Sequence, residues 1–424
     1  MNKASKAVLN ILPDEIWKWK FVERELEAVA GMFNFREIRT SILQERAALE
    51  ESYKKAVRFS DEVSLDDLFL HVCGVTELSL RPESTITILK SEVAQRAREE
   101  VQKFWYNGPV FRRASSSEHY QMHQFGFEIL GNENLISDLE VMKVAVRICR
   151  RLGLHEPRID VTSYGCHECR PAYAEAMREF LQDNPVENCR NCRIATLFNP
   201  VQVYQRCEND QCQQLLNGAP RITDYLCDDC RLHLENLTRL LSNLMIEFRL
   251  DPYLARPFGY YNRTVFNIVV ENDGDEVILG GGGRYDYLSQ AILTDPIPAV
   301  GFTFDMLRLI RTLDSQSLLH QPERPFTVYI CSLSPGLDLT LLQIEQELHD
   351  QHFHTILVSS CRETDTARTE ARRLGCSVAL LLDEEHIRRG SVLLLNLVKE
   401  FEELVDLSDV LDTVQRLQKA IELI

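Results

Sequence analysis

Tyr260-Tyr261-Asn262-Arg263-Thr264-Val265-Phe266, followed by Gly280-Gly281-Gly282-Gly283-Arg284-Tyr285-Asp286, is the stretch on which the reading of this chain turns. YYNRTVFNIVV and EVILGGGG are rich in β-branched and aromatic residues and read as strands. Four glycines after an apolar run let the backbone come close to a ligand or to another chain, although a glycine run by itself is most often a tight turn. Arg256 stands four residues ahead of Tyr260. Downstream, Pro298-Ala299-Val300-Gly301-Phe302 leads to Arg308, either at the start of a helix facing a nucleotide or simply exposed on that helix.

Working outward, residues 104–111 and 122–130 read as two β runs joined by the serine-rich polar loop 112–121, an exposed hairpin tip. On the returning run the period of two puts Gln124, Gly126 and Glu128 on one face and Phe125 and Phe127 on the other. A strand divided in this way suits the floor of a polar pocket. Arg112, at the end of the first run, has the planar fork for a bidentate contact with phosphate or carboxylate. Earlier, Arg81-Pro82-Glu83 places a carboxylate after a proline-stiffened strand end, where it would hold a cation such as an α-ammonium group; taken alone, a surface glutamate is the commoner meaning of such a triplet.

Helices are expected over 14–32, where Ile16, Trp17, Phe21, Leu26 and Val29 recur at helical spacing, and over 85–103, 138–152 and 232–249, with strands near Ile38 and over 77–82. From Pro325 the pattern changes to βαβ alternation: FTVYICSL, a helix over 339–349, HTILVSS, a helix, then SVALLLD. That alternation implies a three-layer α/β domain with a mostly parallel sheet, closed by an amphipathic helix over 407–424. The expected organisation is an α+β domain made of 1–160 and 240–320, a cysteine-rich insertion over 161–239, and a C-terminal α/β domain over 325–424.

The bulk properties narrow the class. The chain is 45% hydrophobic and 26% charged, as in ordinary soluble globular proteins. No apolar run approaches the ~18 residues of a membrane span. Residues 1–14 carry lysines but neither the apolar core nor the small-residue cleavage site of a secretory signal, so a cytoplasmic protein is expected. A net charge of -17 excludes a protein that wraps nucleic acid non-specifically, while leaving room for a partner bound through a local basic patch.

Eight of the thirteen cysteines fall between Cys166 and Cys230, as Cys166-x-x-Cys169, Cys189-x-x-Cys192, Cys207-x-x-x-x-Cys212 and Cys227-x-x-Cys230. Two-residue spacing lets both sulfurs of a knuckle reach one tetrahedral Zn²⁺, so structural zinc is expected, as two four-cysteine sites or as one site with spare cysteines. His167 and His233 are alternative ligands, though lone histidines are more often ordinary surface residues. A redox CxxC would need a thioredoxin-like βαβ context, which is absent around these pairs.

The constellations agree in order and spacing with one family. From about Leu12 to the C-terminus the chain resembles the histidyl-tRNA synthetases, which are class II aminoacyl-tRNA synthetases, through ILPDEI, FREIRT, LRPE, GPVFR, HQFGFE, YYNRTVF, GGGGRYD and VGF. The YY…TVF and GGGRYD pair is specific to that family. The resemblance implies an antiparallel catalytic sheet flanked by helices, usually in a homodimer, and an anticodon-binding role for the tail domain. It implies Glu83 and Thr85 near the amino group of histidine, and Gln124, Glu128, Tyr261 and Tyr285 around its imidazole. It further implies Arg112 and Arg308 on ATP phosphates and Arg256 as the catalytic arginine at the transferring α-phosphate. The substrates would be histidine, ATP with Mg²⁺, and tRNA. Fixed guanidinium groups suit such a reaction because negative charge builds on a five-coordinate phosphorus.

The chain departs from the family pattern at definite points. Ala7-Val8-Leu9-Asn10 replaces Gly-Thr-x-Asp, Ser41 replaces a proline in a segment that helps form the dimer, and Ser84 replaces a glycine. Arg112-Arg113-Ala114 lacks the carboxylate that reads the adenine amino group, and Asp305-Met306-Leu307-Arg308 replaces Gly-x-Glu-Arg. Arg256-Pro257-Phe258-Gly259-Tyr260-Tyr261 replaces Arg-Gly-Leu-Asp-Tyr-Tyr. Retention of Arg112, Arg256 and Arg308 favours an enzyme that activates histidine. The altered motifs favour a non-catalytic histidine sensor resembling the ATP phosphoribosyltransferase regulatory subunit. The cysteine insertion and the tail favour an RNA partner.

Overall fold

A computed structural model describes residues 10–56, 71–72, 78–112, 120–184, 210–254, 256, 260–322, 324–361 and 363–421. The chain divides into two units, Met1–His320 and Gln321–Ile424.

In the first unit the described strands are β1 (Arg36–Glu37), β2 (Leu43–Glu45), β3 (His71–Val72), β4 (Leu78–Leu80), β5 (Gln102–Phe111), β6 (Gln121–Leu130), β7 (Arg158–Ser163), β8 (Phe248–Leu250), β9 (Asn262–Asn272), β10 (Asp275–Arg284) and β11 (Ala299–Asp305). Eight of them form one sheet in the order β1-β5-β6-β11-β10-β9-β7-β8. Every pairing from β5 across to β7 is antiparallel, and β1 and β8 join the two edges in parallel. β2, β4 and β3 make a small separate sheet.

Alternation along β6 and β11 gives the large sheet two unlike faces. Phe125, Phe127, Phe266, Phe302 and Phe304 fill one, with the Phe127 and Phe302 rings stacked 5.1 Å apart. The helices Ile16–Met32, Leu135–Arg151 and Met306–Ser315 pack into the same core. Trp19, Val22, Leu26 and Val29 are the buried stripe of the first helix, spaced three and four residues apart. The second begins where the Asn134 side chain accepts from the Ile136 N–H at 2.9 Å, satisfying one of the free donors of the first turn. The opposite face carries a second buried cluster, in which Phe104, Leu130, Val265 and Ala299 join Ile86, Ile88, Leu89 and Leu288.

One sequence expectation changes here. The helix expected over 85–103 is two short helices, Thr85–Leu89 and Glu92–Arg96, after which the chain is already strand at Gln102. Thr85-Ile86-Thr87-Ile88 is β-branched throughout, a poor helix former, and the Glu83 carboxylate supplies the cap by accepting from the Thr85 and Ile86 N–H groups at 3.0 and 3.1 Å. The glycine run continues the strand expected for EVILGGGG: β10 passes through all four glycines to Arg284.

In the second unit β12 (Thr327–Ser332), β13 (His354–Val358), β14 (Val378–Leu382), β15 (Ser391–Asn396) and β16 (Phe401–Asp406) form a sheet in the order β13-β12-β14-β15-β16. The expected mostly parallel sheet is mixed. β12 pairs in parallel with β13 and β14, whereas β14-β15 and β15-β16 are antiparallel. The reason is connection length: parallel neighbours need a crossover of about a dozen residues or more, and only residues 383–390 and 397–400 separate these strands. Leu341, Ile344, Val410 and Val414 pack helices on one face of the sheet, while Ala367 and Ala371 bring the helix Thr364–Arg373 against the other. The last helix starts at Val410, after a 3-10 turn over Leu407–Asp409.

Candidate active site

The polar residues of this second face are brought together by strand register. Glu128, Gly126 and Gln124 of β6 lie opposite Gly301, Thr303 and Asp305 of β11, and Gly301 and Thr303 in turn lie opposite Gly283 and Gly281 of β10. These glycines leave room for long side chains to lie across the sheet. A Cβ on Gly301 would sit 1.6 Å from Glu128 Oε2, and one on Gly126 would sit 2.2 Å from the Tyr106 ring.

Glu128 is the centre of this floor. It is buried and accepts from Tyr285 Oη at 2.6 Å, Thr85 Oγ1 at 2.9 Å and Tyr106 Oη at 3.2 Å. Burial pushes its carboxyl up to about 8, against the pull of the three hydroxyl donors, and the charge of Glu83 adds to the rise. Glu83 accepts from two helix N–H groups and from Tyr260 Oη at 3.5 Å. The Tyr260 ring lies 4.8 Å from that of Tyr261 and 6.2 Å from that of Tyr285. Glu83, Thr85, Glu128, Tyr261 and Tyr285 are therefore joined in one network of contacts through Tyr260. Gln124 shares the Glu128 face but stands four residues along β6, about 13 Å away. It is buried with Oε1 unpartnered.

The three arginines occupy separate points. Arg256 Nη1 donates to Asn267 Oδ1 and Nη2 to the Gly281 carbonyl, both at 3.0 Å, while its buried Nε has no partner. Its backbone N–H donates to Tyr164 Oη at 2.8 Å. Arg112 Nε donates to the carbonyl of Pro82, the residue before Glu83, at 2.7 Å. Arg308 is anchored to the Ile278 carbonyl at 2.9 Å. Asp305 accepts from the Arg308 N–H at 3.2 Å and so caps the helix Met306–Ser315. Ala114 lies outside the described residues.

Several contributors carry no signal strong enough in the sequence alone. Tyr106 is visible only as the partner of Gly126 across β5 and β6. Arg81 is buried over Gly108, donating to the Pro109 and Thr40 carbonyls at 3.0 Å, and burial lowers its pKa. Tyr164 and Asn267 hold Arg256 from segments far apart in the chain.

Behind the floor, Arg284 is buried against Asp138 and Asp286. Burial works against the Asp138 carboxylate, but hydrogen bonds from His233 and Arg284 and the guanidinium charge hold it down to about 2. This pair fixes the end of β10 directly before Tyr285. His233 is thereby a structural residue rather than a metal ligand: its Nε2 lies 2.9 Å from Thr264 Oγ1. His167 instead contacts Tyr287, its N–H donating to the phenol oxygen at 2.6 Å.

Cys166, Cys169, Cys227 and Cys230 converge, their sulfurs all within 4.8 Å of one another. Cys166 Sγ lies 3.7 Å from Cys169 Sγ and 3.8 Å from Cys227 Sγ. A tetrahedron of sulfurs ~2.3 Å from a Zn²⁺ ion has edges of about 3.8 Å, so the donor set and its size fit zinc. Backbone N–H groups of Cys227 and Glu168 point at Cys169 and Cys166 sulfurs at 3.1 and 3.4 Å. Of the other candidates, Cys212 is buried in a different cluster with Tyr173 and Met177, and Cys189, Cys192 and Cys207 lie outside the described residues.

An antiparallel sheet with helices on its aromatic face, and glycines beneath carboxylates, tyrosines and arginines on the other, is the catalytic fold of the class II aminoacyl-tRNA synthetases. Within that class the chain belongs to the histidyl-tRNA synthetase family, whose family model matches residues 8–309. A histidine-tRNA ligase of Clostridium botulinum (strain 657 / Type Ba4) is 30% identical over 422 residues, 98% of this chain and 99% of the relative. One of Halothermothrix orenii is 28% identical over 95% of this chain and 99% of its own length. Among solved structures, apo S. aureus histidyl-tRNA synthetase superposes with a TM-score of 0.75 at 24% identity, covering 99% of this chain and 100% of that one. A protein titled ATP phosphoribosyltransferase regulatory subunit/histidyl-tRNA synthetase, from Bacillus halodurans C, reaches 0.59 at 16% identity, covering 86% and 94%. At those identities the two structures speak for the fold alone. Among the described residues no helix is long and apolar enough to cross a membrane.

Proposed function

We propose that this protein activates histidine with ATP and Mg²⁺ as histidyl-adenylate and transfers the histidyl group to tRNA, as a cytoplasmic homodimer. The observation that carries the reading is the buried Glu128, ringed by Tyr285, Thr85 and Tyr106 and facing the Glu83 cluster. An imidazole N–H would donate to Glu128, a match for a ring that carries both donor and acceptor nitrogens. Thr85 and Glu83 would receive the α-ammonium group, with Tyr261 and Tyr285 beside the ring and Gln124 toward the far end of the floor. Arg256, already fixed by Asn267 and Gly281, would meet the α-phosphate without reorganising as charge develops. Arg112 and Arg308 would hold the remaining phosphates, with Mg²⁺ neutralising charge between them. The four-cysteine centre would hold Zn²⁺ as a structural element of the insertion.

The relatives matched along nearly their whole length are histidine-tRNA ligases, which weighs against the non-catalytic sensor. Amino-acid-dependent ATP-pyrophosphate exchange with zinc-replete protein tests the reading. Exchange with histidine, and with no other amino acid, is the expected result. Absent exchange together with calorimetric histidine binding would overturn it in favour of a sensor.

A further inference from the structure

We propose that Arg170 is a positioning residue through which the four-cysteine centre sets the geometry of the histidine pocket. Arg170 directly follows Cys169 in the first turn of the helix Cys169–Asp183, and its N–H donates to the Cys166 carbonyl at 3.2 Å. Its place is thus fixed by the knuckle that carries two of the four sulfurs. Its guanidinium reaches away from the cysteines toward the catalytic sheet. Nη2 donates to the Tyr261 carbonyl, Nε donates to the Tyr164 carbonyl at 3.2 Å, and the group lies 5.4 Å from the centre of the Tyr287 ring.

Each of these contacts reaches a part of the site that the sheet does not hold by itself. Tyr261 precedes β9, whose ladder with β10 ends at the pair of Asn262 with Arg284. The next residue, Arg263, has φ of 49°, a left-handed conformation that side-chain-bearing residues keep only where their surroundings enforce it. The enforcement comes from the insertion side: Arg263 N–H donates to the Gly165 carbonyl at 2.9 Å, and Tyr164 N–H donates to the Arg263 carbonyl at 2.7 Å. Tyr164 also accepts from the Arg256 backbone through its hydroxyl. Tyr287 receives the His167 N–H from inside the Cys166–Cys169 knuckle. Arg170 therefore ties one metal-binding knuckle to the backbone of the imidazole-lining Tyr261 and, through Tyr164, to Arg256.

The charges agree with this role. Four thiolates around a divalent cation carry two net negative charges, and a guanidinium taken out of water is tolerated where opposite charge and hydrogen bonds surround it. Emptying the centre releases the knuckle that places Arg170.

The test uses the zinc-loaded full chain and the variants Arg170→Ala and Arg170→Lys. Zinc per chain, melting temperature, histidine affinity by calorimetry, exchange kinetics and hydrogen exchange of residues 260–266 are measured for each. Arg170→Ala is expected to keep its zinc and a cooperative melt while histidine KM and Kd rise about tenfold or more and ATP KM stays within about twofold. Amide protection over 260–266 falls in the same variant. Arg170→Lys, which keeps the charge but only a single-point donor, recovers part of the loss. Chelated wild-type protein that still melts cooperatively shows the same histidine-specific defect. The proposal is overturned if Arg170→Ala keeps histidine Kd and 260–266 protection within twofold of wild type, or if chelated, folded wild type binds histidine unchanged. Should Arg170→Ala fail to fold, Arg170→Lys is judged by the same limits. The kinetic readout rests on the histidine-activation reading; absence of exchange in wild type would count against that reading alone, because calorimetry and amide protection still decide the role of Arg170.

Discussion

In the proposed reading Glu128 serves binding and Arg256 serves chemistry. With a folded pKa near 8 against an ordinary 4.5, Glu128 keeps a proton in the folded, ligand-free protein that the unfolded chain releases. Stability is therefore highest below about pH 4.5 as far as this group is concerned, and it falls as pH rises from there through 8. Glu128→Gln removes the titration, so its melting temperature should decline less than that of wild type between pH 5.5 and 8, while its histidine affinity drops tenfold or more. Melting curves over that range and calorimetry check both. An equal pH slope in the two proteins would show that the carboxyl is already ionised. Arg256→Ala has the opposite signature: pyrophosphate exchange falls about 10²–10³-fold while histidine Kd stays within a few-fold, since a fixed donor to developing charge contributes in the transition state. Unchanged exchange would remove Arg256 from the chemistry.

At the scale of elements, the floor depends on which strand positions lack side chains. Gly301 is the critical one, because a Cβ there would meet the Glu128 carboxylate and also the Phe127 carbonyl at 2.6 Å, and the backbone cannot swing aside. Gly301→Ala should cost about 1–3 kcal/mol in urea unfolding and lower histidine affinity about tenfold. Gly274, in the β9-β10 turn, has open space around it and φ of 86°. Gly274→Ala should cost about 1 kcal/mol from the backbone alone and leave histidine affinity unchanged. If both variants weaken histidine binding equally, crowding at the floor is not the cause.

At the scale of the whole molecule, the proposed reading assigns catalysis to the first unit and tRNA recognition to the second. The residues proposed to bind histidine and ATP all belong to Met1–His320, and Gln321–Ile424 carries its own core in two layers around its sheet. A fragment ending at His320 should retain histidine-dependent exchange and lose tRNA charging at least tenfold, read from both assays on the same preparation. Full charging by the fragment would remove the tail from tRNA recognition.

How much of the fold and site is legible in the sequence follows from what local pattern can encode. The period of two alone places Gln124, Gly126 and Glu128 on one face, and the two-residue spacing of the CxxC pairs marks them as metal-ligand knuckles, because both signals depend on spacing along one backbone. The helix expected over 85–103 is cut short because a pocket carboxylate, Glu83, starts a short helix that propensity does not extend. The mixed tail sheet is not legible because β15 and β16 return by hairpins whose shortness matters only once the partners are known. Local order thus determines the family, the strand faces and the metal-ligand types. Tertiary structure decides what no spacing encodes: which of the eight cysteines converge, that Glu128 is desolvated enough to hold a proton, that His233 braces Asp138, and that Arg170 reaches Tyr261. Each of these depends on burial or on contact between segments distant in the chain, and neither is a property of a stretch of sequence.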